Sequence, residues 1–185
     1  YRNDHGRRFV PVDLEQAGIA ADTGSQGGLF GDFDLDGDLD LALAGWRKPL
    51  RIYEQIAPFR FREVDLGLDL PPATRCNAVL PGDFDNDGDM DLLVTVRGGP
   101  SLLLLNRADP DRTSLRLGDW KPRAEPLGFR EAADSLGLAD TLDAYGGAFA
   151  DFDGDGDQDL FLTTRVLNRY YENAGGGFLA RSLEE

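Results

Sequence analysis

Aspartates at one fixed spacing occur in three places, and oxygen donors at this spacing can hold a metal ion. Each copy reads D-x-D-x-D-G-x-x-D with a further aspartate at its seventh position. The copies are DFDLDGDLD at 32–40, DFDNDGDMD at 83–91 and DFDGDGDQD at 151–159. Alternate carboxylates, folded around one ion by a turn at glycine, are typical of a calcium loop. The pattern therefore predicts three Ca²⁺ sites.

The spacing also predicts what each aspartate contributes. Positions 1, 3, 5 and 9 are expected to donate side-chain oxygens and position 7 its backbone carbonyl, with water completing a shell of about six or seven ligands. The side-chain donors are Asp32, Asp34, Asp36, Asp40, Asp83, Asp85, Asp87, Asp91, Asp151, Asp153, Asp155 and Asp159. The carbonyl donors are Asp38, Asp89 and Asp157. Mg²⁺ fits less well, because it prefers fewer protein ligands in a tight octahedron.

An EF-hand begins with the same residues but is excluded by the residues that follow. It needs a bidentate Glu at position 12 and flanking helices. Position 12 is Leu43, Val94 and Leu162 here, and the flanks have strand character. Plain solvated Asp-Gly turns are disfavoured too, because clustered carboxylates repel one another without a cation and the same offsets recur three times.

The net charge of −15 is concentrated in these loops. They hold fifteen of the 34 acidic residues, and the remaining 19 equal the 19 Lys and Arg. Three bound Ca²⁺ would reduce the charge from −15 to −9. No basic patch stands out, so we expect no nucleic-acid partner. No apolar run approaches the ~20 residues of a bilayer span, so we expect no membrane span in this chain.

Other markers repeat in phase with the loops. An aromatic or Leu residue with a polar residue two positions later occurs at Tyr1, Tyr53, Leu104 and Tyr171. A phenylalanine marker follows at Phe9, Phe61, Phe129 and Phe178. Four short apolar runs per period, bounded by Gly, Pro and Asp, predict four antiparallel strands, which is one blade of a β-propeller. The predicted fold is therefore all-β, with about three blades of four antiparallel strands.

We expect a single repeat domain over residues 1–185. Its repeats lie at about 1–52, 53–103 and 104–170, with a partial repeat at 171–185. The third repeat contains an insertion at about 107–128 that predicts a long surface loop, and its Trp120 is a candidate partner contact. Short segments at 13–20 and 131–140 are expected to form at most one helical turn between strands.

Apolar residues root each loop. Position 2 is always Phe and position 10 is always Leu. We expect both to point away from the ion into the core between blades. These anchors are Phe33, Phe84, Phe152, Leu41, Leu92 and Leu160.

The loops and their period resemble the FG-GAP repeat family, the integrin α-subunit type of calcium-binding β-propeller, especially its bacterial VCBS-like branch. The resemblance extends over nearly the whole chain. The Phe-Gly pair stands as Phe30–Gly31, with Pro81–Gly82 and Phe149–Ala150 at the equivalent places. The resemblance implies Ca²⁺ at a blade hairpin and a seven-bladed propeller. Closed propellers have about 4–8 blades, so we expect the remaining blades from the same, longer chain or from another subunit.

This resemblance favours a non-catalytic extracytoplasmic module for binding, adhesion or scaffolding, with structural Ca²⁺. Millimolar calcium outside cells suits weak sites of about 10⁻⁴–10⁻³ M. The expected partner is a protein or a carbohydrate bound at a propeller face. A structural subunit of a larger assembly is an alternative that sequence hardly separates from the first.

A second alternative is a propeller-based enzyme, such as a polysaccharide lyase or a hydrolase. The residues disfavour it. His5 is the only histidine and lies in a turn-like segment, and no nucleophile elbow or P-loop occurs. The single cysteine, Cys76, excludes an internal disulfide and is expected to be a buried apolar side chain.

Overall fold

A computed structural model of the chain describes residues 1–20, 24–46, 50–71, 74–106, 127–138 and 141–182. Over these ranges the regular structure is fourteen β-strands, with no helix. The all-β prediction is confirmed. Within the same ranges, no helix has the length and apolar character needed to cross a membrane.

Twelve of the strands form three antiparallel sheets of four, each ordered as in the sequence. The first contains β3 (Ser25–Gly31), β4 (Asp40–Gly45), β5 (Leu50–Ala57) and β6 (Arg60–Glu63). The second contains β7 (Cys76–Gly82), β8 (Asp91–Val96), β9 (Leu102–Asn106) and β10 (Phe129–Glu131). The third contains β11 (Ala144–Ala150), β12 (Asp159–Thr164), β13 (Arg169–Asn173) and β14 (Phe178–Arg181).

A two-stranded hairpin of β1 (Arg2–Asp4) and β2 (Arg8–Val10) precedes these sheets. Four-stranded antiparallel sheets are what propeller blades require. Among the described residues the sheets form an open series, and they do not close a ring.

The first strand of every sheet has the same irregularity. Its pairing with the second strand shifts register after the first residue, at Ser25, Cys76 and Ala144. One extra residue in a strand bends it and increases its twist. The three sheets therefore share backbone detail that their differing side chains do not reveal.

The core lies between consecutive sheets. Ile52 of the first sheet and Val94 of the second are fully buried in one cluster. Leu103 of the second sheet and Leu160 of the third are fully buried in the next. Every residue of β8 is buried, because the second sheet is covered on both faces.

The predicted anchors of the loops are confirmed with one exception. The three Leu side chains at position 10 are at most 7% exposed. Phe33 packs edge-to-face on Phe129 of the next sheet, and Phe84 on Phe178, with ring centroids 6.2 and 6.1 Å apart. For Phe152 the prediction is wrong: it is 55% exposed, because no described sheet follows the third.

A glycine precedes each of the first two loops, at a place where a side chain would meet both the Phe of its own loop and a side chain of the next loop. A Cβ at Gly31 would lie 2.6 Å from Sδ of Met90, which belongs to the second loop. A Cβ at Gly82 would lie 2.6 Å from Cε1 of Phe84 in its own loop and 3.0 Å from Oε1 of Gln158, which belongs to the third loop. Ala150 occupies the same place before the third loop. The glycines thus leave room for the Phe ring of their own loop and for a side chain of the next loop.

The predicted helical turns are present at both segments. In the first, Ala17 N–H donates to the Asp13 carbonyl at 3.0 Å. Gly18, with φ of 82°, ends that turn: its N–H donates to Glu15, and Ile19 N–H donates to Leu14. This is a Schellman ending, which needs a left-handed residue. Gly137, with φ of 84°, ends the second turn in the same way.

The predicted insertion at 107–128 lies outside the described residues, Trp120 included, except for its last two positions. Leu127 is 4% exposed and belongs to the core between the first two sheets. The chain is therefore buried again just before β10, and the surface-loop prediction for the rest of the insertion stays a prediction.

Candidate metal centres

Each aspartate loop joins the first and second strands of its sheet. The loops follow Gly31, Gly82 and Ala150, where β3, β7 and β11 end. Each closes at the position-9 aspartate that begins the next strand. Since the three sheets share one strand order, all three loops lie at equivalent ends of their sheets.

The glycine at position 6 has the predicted backbone role. Gly37, Gly88 and Gly156 have φ of 97°, 90° and 99°, where only glycine is unstrained. In each loop this glycine N–H donates to Oδ2 of the position-1 aspartate at 3.1 Å. The turn therefore directs the position-1 carboxylate into its own loop.

Position 4 of each loop also has a left-handed backbone, which the sequence pattern did not predict. Position 4 has φ of 60° at Leu35, 56° at Asn86 and 81° at Gly154. Asn and Gly favour this conformation, whereas Leu is strained by it. Asn86 and Gly154 are residue types that indicate a left-handed position, whereas Leu35 at the same place in the first copy does not indicate one.

Carboxylates from each loop converge. In every loop three carboxylate oxygens lie within 4.8 Å of one another. Positions 1 and 3 belong to all three groups, with position 5 as third member in the first loop and position 9 in the other two. The groups are Asp32, Asp34 and Asp36; Asp83, Asp85 and Asp91; and Asp151, Asp153 and Asp159.

The remaining predicted ligands lie in the same loops outside these groups. Asp40 begins β4 and is 1% exposed, and Asp87 and Asp155 occupy position 5. At position 7, the backbone N–H of Asp38, Asp89 and Asp157 donates to the position-5 carboxylate at 2.9–3.0 Å. These contacts involve the N–H groups of position 7 and not its carbonyls, so the role of those carbonyls as metal ligands stays a prediction.

The position-9 aspartate also ties three parts of its sheet together. Oδ2 of Asp40 accepts the Phe33 N–H at 3.0 Å, and Oδ1 accepts the Gln55 N–H at 2.8 Å. Asp91 and Asp159 accept the equivalent pairs. Each carboxylate thus joins the start of its loop to the end of the third strand, a role that spacing alone did not predict.

The donors to Oδ1 of the position-9 aspartates are residues that the sequence showed only as a repeated marker. They are Gln55, Asn106 and Asn173, the polar residues two positions after Tyr53, Leu104 and Tyr171. The repeated marker therefore reflects a contact with the aspartate loop. Its spacing was visible in the sequence, but its partner was not.

The donor set fits a hard divalent cation. Asp32 Oδ1 and Asp38 Oδ1 are buried and accept no hydrogen bond among the described residues. A buried carboxylate oxygen without a donor is costly, and a cation would satisfy it. Two ligands on opposite sides of a Ca²⁺ ion stand about 4.6–5.2 Å apart, since each bond is about 2.3–2.6 Å. The oxygens of each group lie within 4.8 Å of one another, which is close enough for one ion to contact all three.

Burial makes these carboxylates costly to ionise. Desolvation raises the pKa of Asp34 to about 6 and of Asp40 and Asp91 to about 7, and neighbouring carboxylates add to the rise. Backbone N–H donors oppose it only in part. A bound cation would keep such groups ionised.

The loops differ in how far they are covered. Asp34 of the first loop is 8% exposed, whereas Asp151, Asp153 and Asp155 of the third are all exposed. The next sheet packs on Phe33 of the first loop and Phe84 of the second, and no described sheet packs on the third loop in this way. The third group therefore lies in a more water-like dielectric, which weakens its electrostatic attraction for a cation.

Comparison with known proteins agrees with this geometry. Residues 32–94, which include the first two loops, match the family model of the FG-GAP-like repeat. The chain is 31% identical to cartilage acidic protein 1 of Xenopus tropicalis, over 87% of this chain and 25% of that protein. Its identity to the human protein of the same name is 28%, over 75% of this chain and 20% of that protein. The chain thus spans about a quarter of the length of the curated relatives it matches.

Proposed function

We propose that the chain, whose residues 32–94 match the FG-GAP-like repeat, is a calcium-binding module for binding or scaffolding, in which Ca²⁺ has a structural role. One observation carries the proposal: carboxylate oxygens converge to within 4.8 Å at the same place in three successive sheets. Buried Asp32 Oδ1, which accepts no hydrogen bond among the described residues, supports a cation at the first of them.

The structural role follows from what the loops connect. The same aspartates that would hold an ion bind the N–H groups of the loop start and of the third strand. An ion that orders these carboxylates also orders the hairpin and the strand beside it. We infer that Ca²⁺ stabilises each blade from its loop end.

We propose that the three sheets belong to a seven-bladed propeller whose other blades lie in the same chain or in another subunit. The 55% exposure of Phe152, whose counterparts are buried by a following sheet, supports this. We also propose an extracytoplasmic location, where millimolar calcium would fill sites of about 10⁻⁴–10⁻³ M.

Two residues support a non-catalytic role. Cys76 is fully buried, and burial raises its pKa to about 12, so it stays a thiol and not a nucleophilic thiolate. His5 lies in the exposed turn of the β1–β2 hairpin, in positive φ. A lyase or hydrolase would need its acid–base groups elsewhere, and the clustered carboxylates are better suited to hold metal.

We propose that the partner, a protein or a carbohydrate, binds at the end of the sheets opposite the loops through acidic groups. There the guanidinium carbons of Arg75 and Arg97 lie 5.5 and 5.9 Å from the ring centroid of Trp46, which is 42% exposed. Asp143 Oδ1 is 4.0 Å from Nε of Arg97, so this carboxylate offsets the charge of one of the two guanidinium groups. Stacked guanidinium groups keep their N–H edges available for carboxylate or sulfate.

This binding face is tested with an acidic peptide and a sulfated glycan as separate probes. Replacing Arg75 and Arg97 with Ala is expected to lower the affinity for the probe that binds at least several-fold. The control Arg60→Ala removes an exposed arginine from the other end and should change little. Equal binding by the double variant and the control would contradict this face.

Calcium binding is tested by counting ions on the decalcified chain with isothermal titration calorimetry and native mass spectrometry. Three ions per chain are expected. The triple variant Asp34→Asn, Asp85→Asn and Asp153→Asn removes one carboxylate from each loop and should bind none at the same concentration. Asp69→Asn, an exposed aspartate outside the loops, is the matched control. Undiminished binding by the triple variant would refute the proposed sites.

A further inference from the structure

A buried asparagine side chain joins the first aspartate loop to the second. Nδ2 of Asn106 donates to the Phe33 carbonyl in the first loop at 2.6 Å and to the Met90 carbonyl in the second at 3.3 Å. Asn106 is 5% exposed, so water hardly competes for these carbonyls. One amide group therefore holds both loops in a fixed relative position.

The second and third loops are joined in the same way. Nδ2 of Asn173, which is 3% exposed, donates to the Phe84 carbonyl at 3.1 Å and to the Gln158 carbonyl at 3.3 Å. Two more contacts cross this boundary. Asp83 N–H donates to Oε1 of Gln158 at 3.1 Å, and Nδ2 of Asn86 donates to Oδ1 of Asp157 at 2.6 Å.

Each asparagine also contacts a candidate metal ligand through its backbone. The N–H of Asn106 donates to Oδ1 of Asp91 at 2.7 Å, and that of Asn173 to Oδ1 of Asp159 at 2.8 Å. The position-9 carboxylate of one loop and the position-2 carbonyl of the loop before it are therefore bound by the same residue. Position 2 lies between the two aspartates that belong to every carboxylate group.

The first sheet offers a natural comparison, because its equivalent residue is Gln55. The backbone N–H of Gln55 binds Asp40 as expected, but its side-chain Oε1 accepts the Phe59 N–H at 3.0 Å within the same sheet. Gln55 therefore has the contact with its own loop without a described link to another. It separates the two functions that the asparagines combine.

We propose that Asn106 and Asn173 couple neighbouring calcium sites, so that an ion in one loop raises the affinity of the adjacent loop. An ion in the second loop would hold Asp91, Asp91 would hold Asn106, and Asn106 would hold the Phe33 carbonyl between Asp32 and Asp34. The first loop is then partly ordered before its own ion arrives, and less ordering entropy opposes binding. The inference rests on the proposed calcium binding.

The test compares pairs of sites in the full chain. Asp34→Asn leaves the second and third loops, Asp153→Asn leaves the first and second, and Asp85→Asn leaves the first and third. Calcium itself is the ligand, and its binding is measured by competition with a chromophoric chelator. In the two linked pairs, the first ion is expected to raise the affinity for the second on the order of 5-fold, a typical size of coupling between sites. In the unlinked pair the change should stay below about twofold.

Asparagine variants then assign the coupling to the amide. On the Asp34→Asn chain, Asn173→Ala is expected to remove the coupling of the second and third loops, while Gln55→Ala leaves it intact. Independent binding in the linked pairs, or equal coupling in all three pairs, would overturn the inference. These outcomes need no asparagine variant, so they decide the matter even if Asn173→Ala does not fold. If calcium binds with full stoichiometry but independently, only the coupling fails. If no ion binds, the proposed function fails with it.

Discussion

Chelation of calcium should destabilise the chain strongly. Without an ion, five aspartates within nine residues repel one another in each loop, and Asp32 Oδ1 stays buried with no hydrogen-bond donor among the described residues. These carboxylates also bind the backbone of the loop and of the third strand, so their repulsion strains both. If calcium binds as proposed, the folded chain would bind the ions far better than the unfolded chain, and mass action would link calcium to stability.

The expected magnitude follows from the number of sites. A ligand at 100 times its dissociation constant stabilises the folded state by about 2.7 kcal/mol per site. About 10 mM Ca²⁺ reaches that ratio for sites of about 10⁻⁴ M. For a chain of 185 residues, each kcal/mol shifts Tm by about 2–4 °C. Each filled site then adds about 5–11 °C, and three add about three times as much.

The assay is a thermal melt followed by circular dichroism in EDTA, in excess Ca²⁺ and in excess Mg²⁺. Tm should rise with Ca²⁺ and much less with Mg²⁺, and the rise should be smaller by at least about one third in Asp34→Asn, which loses one of three sites. Asp69→Asn should respond like the unchanged chain. A melting curve that is the same in EDTA and in Ca²⁺ would refute the reasoning, since no structural ion would then be present.

Three further results follow from particular residues. Leu35→Gly should raise Tm by about 2–4 °C in a thermal melt, because it relieves roughly 1 kcal/mol of backbone strain in the left-handed conformation at φ of 60°. An unchanged or lower Tm would show that Leu35 is not strained. Phe33→Ala should lower the free energy of unfolding in urea by about 3–5 kcal/mol, because its ring is fully buried. Phe152→Ala should lower it by less than about 1 kcal/mol, because this side chain is 55% exposed. Equal losses in the two variants would show that the third loop is covered like the first. In EDTA, the free energy of unfolding should rise as pH falls from 8 to 5. Burial raises the pKa of Asp40 and Asp91 in the folded chain from 3.8 to about 7. The stabilisation by these two groups is therefore complete below pH 3.8 and is lost as pH rises through about 7. Excess Ca²⁺ should reverse this trend, because protons compete with the ion, and melts across pH in both buffers measure it.

The local chemistry of the loops could be predicted from spacing. Alternate aspartates and the glycine at position 6 lie within nine residues, so one turn decides their geometry, and Gly37, Gly88 and Gly156 have the backbone that the pattern required. The strands could be predicted for a similar reason. Apolar runs of strand length between turn residues have few other ways to be buried.

Contacts between blades could not be predicted in this way, because they join residues 67 to 89 positions apart. The two asparagines looked like a periodic marker, and only the packing of the sheets shows that they bridge loops. Phe33 and Phe152 are identical within the motif, yet one is buried and the other exposed. The difference lies in whether a sheet follows, which no nine-residue pattern contains. Sequence spacing is thus sufficient for the turns of the aspartate loops and for the strands beside them, whereas tertiary structure decides how each loop is covered and which loops are joined.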